Sequence, residues 1–312
     1  APTCKWASAG APPSSPTRCW AARCCSAIII ARAIVRDAWE PTDSARVIAR
    51  ASTWLSLAPI FGPILGSYLQ VGFGWRAAFV AHSLLGSALL LASILRLPET
   101  NLHKNPRAAD LAGLAANYKL VLGAREFWAN ALPGALSYGS LFAFISGSSL
   151  VLIRVLHVPT AWFGYCFAFG VAGYLSGTLV CRRLLPRFGQ VSTQRIGSTA
   201  SLIAGALFMI AVGFGVAHWT LVVAAMFLTM GAHGINFPVA QSGSVTPFPK
   251  QAGTAAGLMG ALTMAVAFLV GSVVGATFDG SLQPLAVIVC VLGVLIFLSV
   301  WLLAPRHVEG NA

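Results

Sequence analysis

Charged side chains are missing from stretch after stretch of this chain, and each stretch is long enough to cross a bilayer. None lies between Arg50 and Arg76, a run of 25 residues, where a membrane-spanning helix needs about 20. Uncharged runs return at Ala77–Leu95, Phe127–Ile153, Val155–Cys181, Ile196–Pro249, Gln251–Phe278 and Gly280–Pro305. The run Ile196–Pro249 is 54 residues long, enough for two spans with a turn around Gly213–Trp219. Six spans are therefore expected after residue 126 and two before it. The chain reads as an all-α integral membrane protein with about eight full transmembrane helices and part of another.

Composition agrees: charged residues make up 9% of the chain, against about 25% in soluble domains. The net charge of +12 suggests nucleic acid at first sight, but the basic residues follow the membrane. With loops assigned alternately to the two sides, one side holds Arg32, Arg36, Arg46, Arg50, the five basic residues of 96–125, Arg182, Arg183, Arg187, Arg195, Lys250 and Arg306. The other holds Arg76 and Arg154. This is the bias that places basic loops in the cytoplasm. It accounts for the charge with the lipid bilayer as partner and no nucleic acid.

The stretch Ser56–Leu69, Ser-Leu-Ala-Pro-Ile-Phe-Gly-Pro-Ile-Leu-Gly-Ser-Tyr-Leu, is the most specific. Pro59 and Pro63 each lack an N–H and crowd the carbonyl four residues back, so a kink is expected near Leu55–Pro59. Ala58, Gly62 and Gly66 recur every four residues and share one face, where another helix is expected to approach closely. A generic packing helix with small residues would show the same spacing.

These residues resemble the antiporter motif of the major facilitator superfamily, with Gly62, Pro63 and Gly66 matching; Ser67 stands where many members carry a second glycine. Ala31-Arg32-Ala33-Ile34-Val35-Arg36-Asp37, Gly74-Trp75-Arg76-Ala77-Ala78-Phe79 and Pro98-Glu99-Thr100 resemble the Bcr/CflA group of drug-resistance transporters. Arg182-Arg183-Leu184-Leu185-Pro186-Arg187-Phe188-Gly189 resembles the weaker second copy of the superfamily's cytoplasmic signature. Ordinary charge flanking two spans explains any one of these arginines equally well.

The resemblance implies the major facilitator fold in a multi-pass protein of the cell inner (plasma) membrane. Residues 28–97 would be part of an N-terminal bundle, carrying the end of a fourth span and the fifth and sixth. Residues 98–126 would be the cytoplasmic central loop, partly an amphipathic helix through Leu111, Leu114, Ala115, Tyr118 and Leu122. Residues 127–312 would be a complete C-terminal six-helix bundle. Residues 1–27 are rich in Pro, Ser, Ala and Cys and are expected to be an aberrant, non-family segment. The implied function is proton-coupled efflux of drugs or small amphiphiles. The alternative is a truncated transporter that is non-functional, or a membrane subunit that needs a partner chain.

The chemistry-bearing residues are few. None of the eight acidic residues falls mid-span, where an intramembrane carboxylate would carry a proton. Asn130, Ser137 and Tyr138 share one helical face, and His233, Asn236 and Gln241 share another. Polar groups on such faces could line a substrate path through a central cavity, or could simply bond helix to helix. The seven cysteines have no metal or redox spacing. With no Walker loop, metal triad, nucleophile elbow or carboxylate pair, no cofactor is expected and no enzyme activity is assigned.

Overall fold

The computed structural model describes residues 61–96 and 111–303, all within one compact unit of the chain. Pro59, residues 1–27, the Ala31–Asp37 segment and the Pro98-Glu99-Thr100 segment lie outside the described residues. Every regular element described is helical. Helix α1 covers residues 61–73 and α2 covers Trp75–Arg96. A short helix α3, Leu111–Gly123, leads into α4, Arg125–Ser149, which continues through a wider π turn at Leu150–Val155. Then come α5, Thr160–Gly213, α6, Trp219–Val245, α7, Ala252–Thr277, and α8, Gln283–Leu303.

The 54 residues of α5 would reach about 80 Å as one straight helix, far more than a bilayer. The helix is broken at Gly189, where φ is 72° and ψ is 179°. Its two arms then lie beside the same stretch of α6. Cys181 packs with Ile235 and Val239 from one arm, while a side chain at Gly197 on the other arm would meet Ile235 and Asn236. The glycine is required by its backbone alone, because a Cβ there would meet nothing within 4 Å. The next turn, at residues 214–218, falls where the sequence places it.

Between α4 and the helices around it, apolar side chains are sealed from every neighbour but one another. Phe144 packs on Phe208 with ring centres 6.0 Å apart, and Leu152, Met226, Met230 and Val289 fill the same core. Lipid tails are as apolar as these side chains, so burial from water does not drive the packing; van der Waals contact between close helices does. The α5–α6 pair shows how close. A Cβ at Gly173 would strike the carbonyl oxygen of Phe227, and one at Gly177 the carbonyl oxygen of Gly231.

A second, smaller core ties α3 to the bundle. Val121 is fully buried against Phe127, Ala131, Ala240 and Met259. Tyr118 and Leu122, on the expected amphipathic face, are exposed.

The two ends of the bundle differ in charge. Arg125 begins α4, and Arg182, Arg183, Arg187 and Arg195 flank the break at Gly189; a hydrogen bond from Gln190 Nε2 to Asn130 Oδ1 (3.0 Å) joins these places. Arg125 also reaches the carbonyl of Leu302, and Arg195 lies over the ring of Trp301 at 5.2 Å. Arg154 lies at the opposite end of α4. The clustering of arginines at one end matches a cytoplasmic face.

Candidate functional site

At mid-depth of the bundle, three helices bring aromatic rings around one histidine. His233 sits fourteen residues from the start of α6 and is 3% exposed. Its Nδ1 is in hydrogen-bond contact with Ser137 Oγ of α4 at 3.0 Å. Tyr174 of α5 stacks on the imidazole with centroids 5.7 Å apart and planes at 30°. Phe237, one turn further along α6, lies at 5.0 Å, and Tyr138 of α4 approaches edge-on at 5.9 Å. Tyr138 and Phe237 are themselves 5.7 Å apart. Tyr138, Tyr174 and Phe237 are each half-buried, so the cluster has a sealed polar centre and an accessible aromatic rim.

The local sequence explains the arrangement. Gly173 and Gly177 take α5 against the backbone of α6, and Gly170 makes room for the side chains of Met226 and Met230. Tyr174 is thereby held at the edge of that contact, over His233. On α4, Pro133 and Gly134 are buried where Met259 and Ala240 press in, which sets Ser137 and Tyr138 one turn on.

The sequence-stated candidates divide into separate places. Tyr138 and His233 are together. Asn130 is near the arginine-rich end, where its Oδ1 accepts from Gln190 and its Nδ2 donates to the Glu126 carbonyl at 3.0 Å. Asn236 is fully buried and donates to Ser201 Oγ of α5 at 3.0 Å, a bond between helices away from the aromatic rim. Its Oδ1 has no hydrogen-bond partner among the described residues and abuts the position of a Gly197 Cβ. Gln241 is exposed. Arg182, Arg183 and Arg187 are exposed around the Gly189 turn.

Among the described residues, side chains at Gly62 or Gly66 of the antiporter-motif helix would meet nothing within 4 Å. Contact is made by Pro63, Ile64 and Ser67, and the small residue is on the other helix: a Cβ at Gly164 of α5 would meet the Pro63 carbonyl oxygen at 2.8 Å and Ile64 Cα at 2.9 Å. One turn further along α1, the hydroxyls of Tyr68 and Tyr165 bond at 2.6 Å. Either helix of a pair can supply the missing side chain, and here the close approach belongs to Gly164.

Tyr174, Phe237 and Gln190 were not among the residues read from sequence. The signal available for Tyr174 was a phenol in the middle of a glycine-rich span, since a buried hydroxyl needs a reason to be there.

Residues 21–272 match the sequence model of the Major Facilitator Superfamily. The chain belongs to the major facilitator superfamily. Its match begins at residue 21, inside the segment 1–27 expected to be foreign to the family. Among relatives, the chain is 24% identical to the "Bicyclomycin resistance protein homolog" of Haemophilus influenzae, with 91% of this chain and 71% of that protein covered. It is 29% identical to "Multidrug resistance protein D" of Escherichia coli K12, over 89% of this chain and 69% of that one. In fold it is similar to a bacterial homologue of the iron transporter ferroportin, with a TM-score of 0.62 at 15% identity, covering 86% of this chain and 66% of the other. A bacterial homologue of the lysosomal transporter Spinster gives 0.55 at 17% identity, covering 88% and 71%. The chain is thus a multi-pass, all-α membrane protein of a transporter family.

Proposed function

We propose that this chain takes part in efflux of small, mostly apolar aromatic molecules, coupled to protons, with the Tyr138–Tyr174–His233–Phe237 cluster as the C-terminal side of the substrate path. The observation that carries the reading is the accessible aromatic rim around a hydrogen-bonded histidine, built at mid-depth from α4, α5 and α6. Stacked and edge-on rings bind flat apolar solutes, while a single buried polar pair orients them. The names of the relatives in Haemophilus influenzae and Escherichia coli support a drug-like substrate. In this reading Asn130 and Gln190, joined by a hydrogen bond, act at the cytoplasmic mouth, and Arg182, Arg183 and Arg187 hold that face in the cytoplasm.

The exposed flank of α2 favours a second reading. Its most apolar stretch, within Trp75–Leu95, has no buried residue, so the chain would transport only with further helices against that face, from a longer chain or a partner chain. One experiment tests both. The purified chain is reconstituted in vesicles, a proton gradient directed inward (acid outside) is imposed, and loss of a fluorescent aromatic dye from the lumen is followed. Gradient-driven movement by this chain alone, abolished by Tyr174→Ala and Phe237→Ala, is expected from the first reading and sinks the second. No movement under any gradient sinks the first reading for the chain by itself.

A further inference from the structure

Helices α7 and α8 both lean on α4 and part from each other toward the surface. The glycines of α4 are where they meet. A Cβ at Gly139 would touch Val266 and Val270 of α7 and Leu292 of α8; one at Gly147 would touch Val274 of α7 and Leu285 of α8. Two helices wedged on one glycine row leave a furrow between their outer faces. It encloses about 570 Å³ and is walled by Leu269 and Val273 on one side and Val287 and Val291 on the other. These four wall residues are all exposed.

The furrow has a depth and a polarity. From Thr277 at the end of α7 to Leu269, and from Gln283 at the start of α8 to Val291, it runs eight residues down each wall, about 12 Å. One leaflet of a bilayer core is about 15 Å deep. Its mouth is at the end opposite the cytoplasmic arginines and carries Asp279. That carboxylate uses one oxygen, Oδ1, to accept from Ser281 N at 2.9 Å and Ser281 Oγ at 2.7 Å. These bonds hold its carboxyl below the ordinary value, so it is ionised at neutral pH, and Asp279 is exposed.

From this geometry we infer that the α7–α8 furrow is a binding site for one phospholipid of the outer leaflet whose headgroup carries a primary ammonium, with an acyl chain between Val273 and Val287 and the ammonium on Asp279. The apolar walls accept any chain, and the carboxylate supplies the choice. It attracts an ethanolamine headgroup and repels a glycerol-phosphate one. The site is separate from the aromatic cluster and does not depend on the transport reading.

The test uses the full chain, delipidated in mild detergent and titrated with dioleoyl phosphatidylethanolamine or dioleoyl phosphatidylglycerol, with retained lipid counted by native mass spectrometry. The wild-type protein should prefer the ethanolamine lipid about fivefold, the scale of one charge near a membrane surface. Asp279→Asn keeps an acceptor for both Ser281 bonds, so the turn survives; it should retain lipid but lose the preference. Val291→Trp fills the furrow from an exposed position and should lower retention of both lipids, as should Leu269→Trp from the other wall. Equal retention of the two lipids by the wild-type protein overturns the inference. So does an unchanged preference in Asp279→Asn, or retention unaffected by both tryptophan variants in protein that elutes and melts like the wild type.

Discussion

Gly177→Ala should unsettle the whole bundle, while Gly231→Ala, at the same helix crossing, should not. The two glycines face each other across the α5–α6 contact but are not equivalent. A Cβ at Gly177 would strike the Gly231 carbonyl oxygen and lie 2.7 Å from its carbon and 3.0 Å from its Cα. A Cβ at Gly231 would find only the Gly173 carbonyl oxygen at 3.4 Å and its carbon at 4.0 Å, ordinary contact. Bringing the carbon alone from 2.7 Å to an ordinary 3.4 Å parts the helices by roughly 0.7 Å, and the nearer carbonyl oxygen demands more; a gap of that size already forfeits a quarter to a half of each neighbouring van der Waals well. The obstacle is backbone and cannot rotate away, so the cost belongs at the upper end of overpacking, about 3 kcal/mol, offset by about 1 kcal/mol from the better helix former. The net is about 2 kcal/mol, or a fall in Tm of about 4–8 °C for a bundle of this size. Gly231→Ala should hold or raise Tm. The assay is thermal unfolding of detergent-purified protein followed by size-exclusion fluorescence. Tm unchanged in Gly177→Ala, or Gly231→Ala as the more damaging of the two, would refute the claim that backbone contact sets the helix spacing.

Removing the hydroxyl of Ser137 leaves His233 Nδ1 without its partner in a buried place, and Ser137→Ala should cost about 1 kcal/mol, read as a fall in Tm and as slower dye efflux. In a double-mutant cycle, Tyr68→Phe and Tyr165→Phe should couple by about 0.5–1.5 kcal/mol through their shared hydrogen bond; strict additivity in Tm would show that α1 is not held there. A cysteine at Arg187→Cys should react with a membrane-impermeant maleimide only in inside-out vesicles, and one at Arg154→Cys only from the outside of intact cells. The reverse pattern would invert the topology.

The spans were legible because charge marks their ends: Arg125 and Arg154 bracket α4, and the arginines from 182 to 195 announce the fold-back of α5. Mid-span contacts were not. Inside an apolar run every face is apolar, so periodicity does not say which side of a helix meets which neighbour. Spacing put His233 and Asn236 on one face, yet they bond to different helices, α4 and α5. Nor did it show that α1 meets α5 through Pro63, Ile64 and Ser67, opposite Gly164. Tyr174 was hidden for the same reason: its role comes from the glycines on either side, which fix the distance to α6.

The reversal at Gly189 occupies a single non-helical residue. A hairpin without a loop has no slack between its two arms. It also leaves no site at which a tag, a protease sequence or a fluorescent domain could be spliced without prising those arms apart. Natural variation in length should be barred from this corner and collect at the turn of residues 214–218, where several residues make the same change of direction.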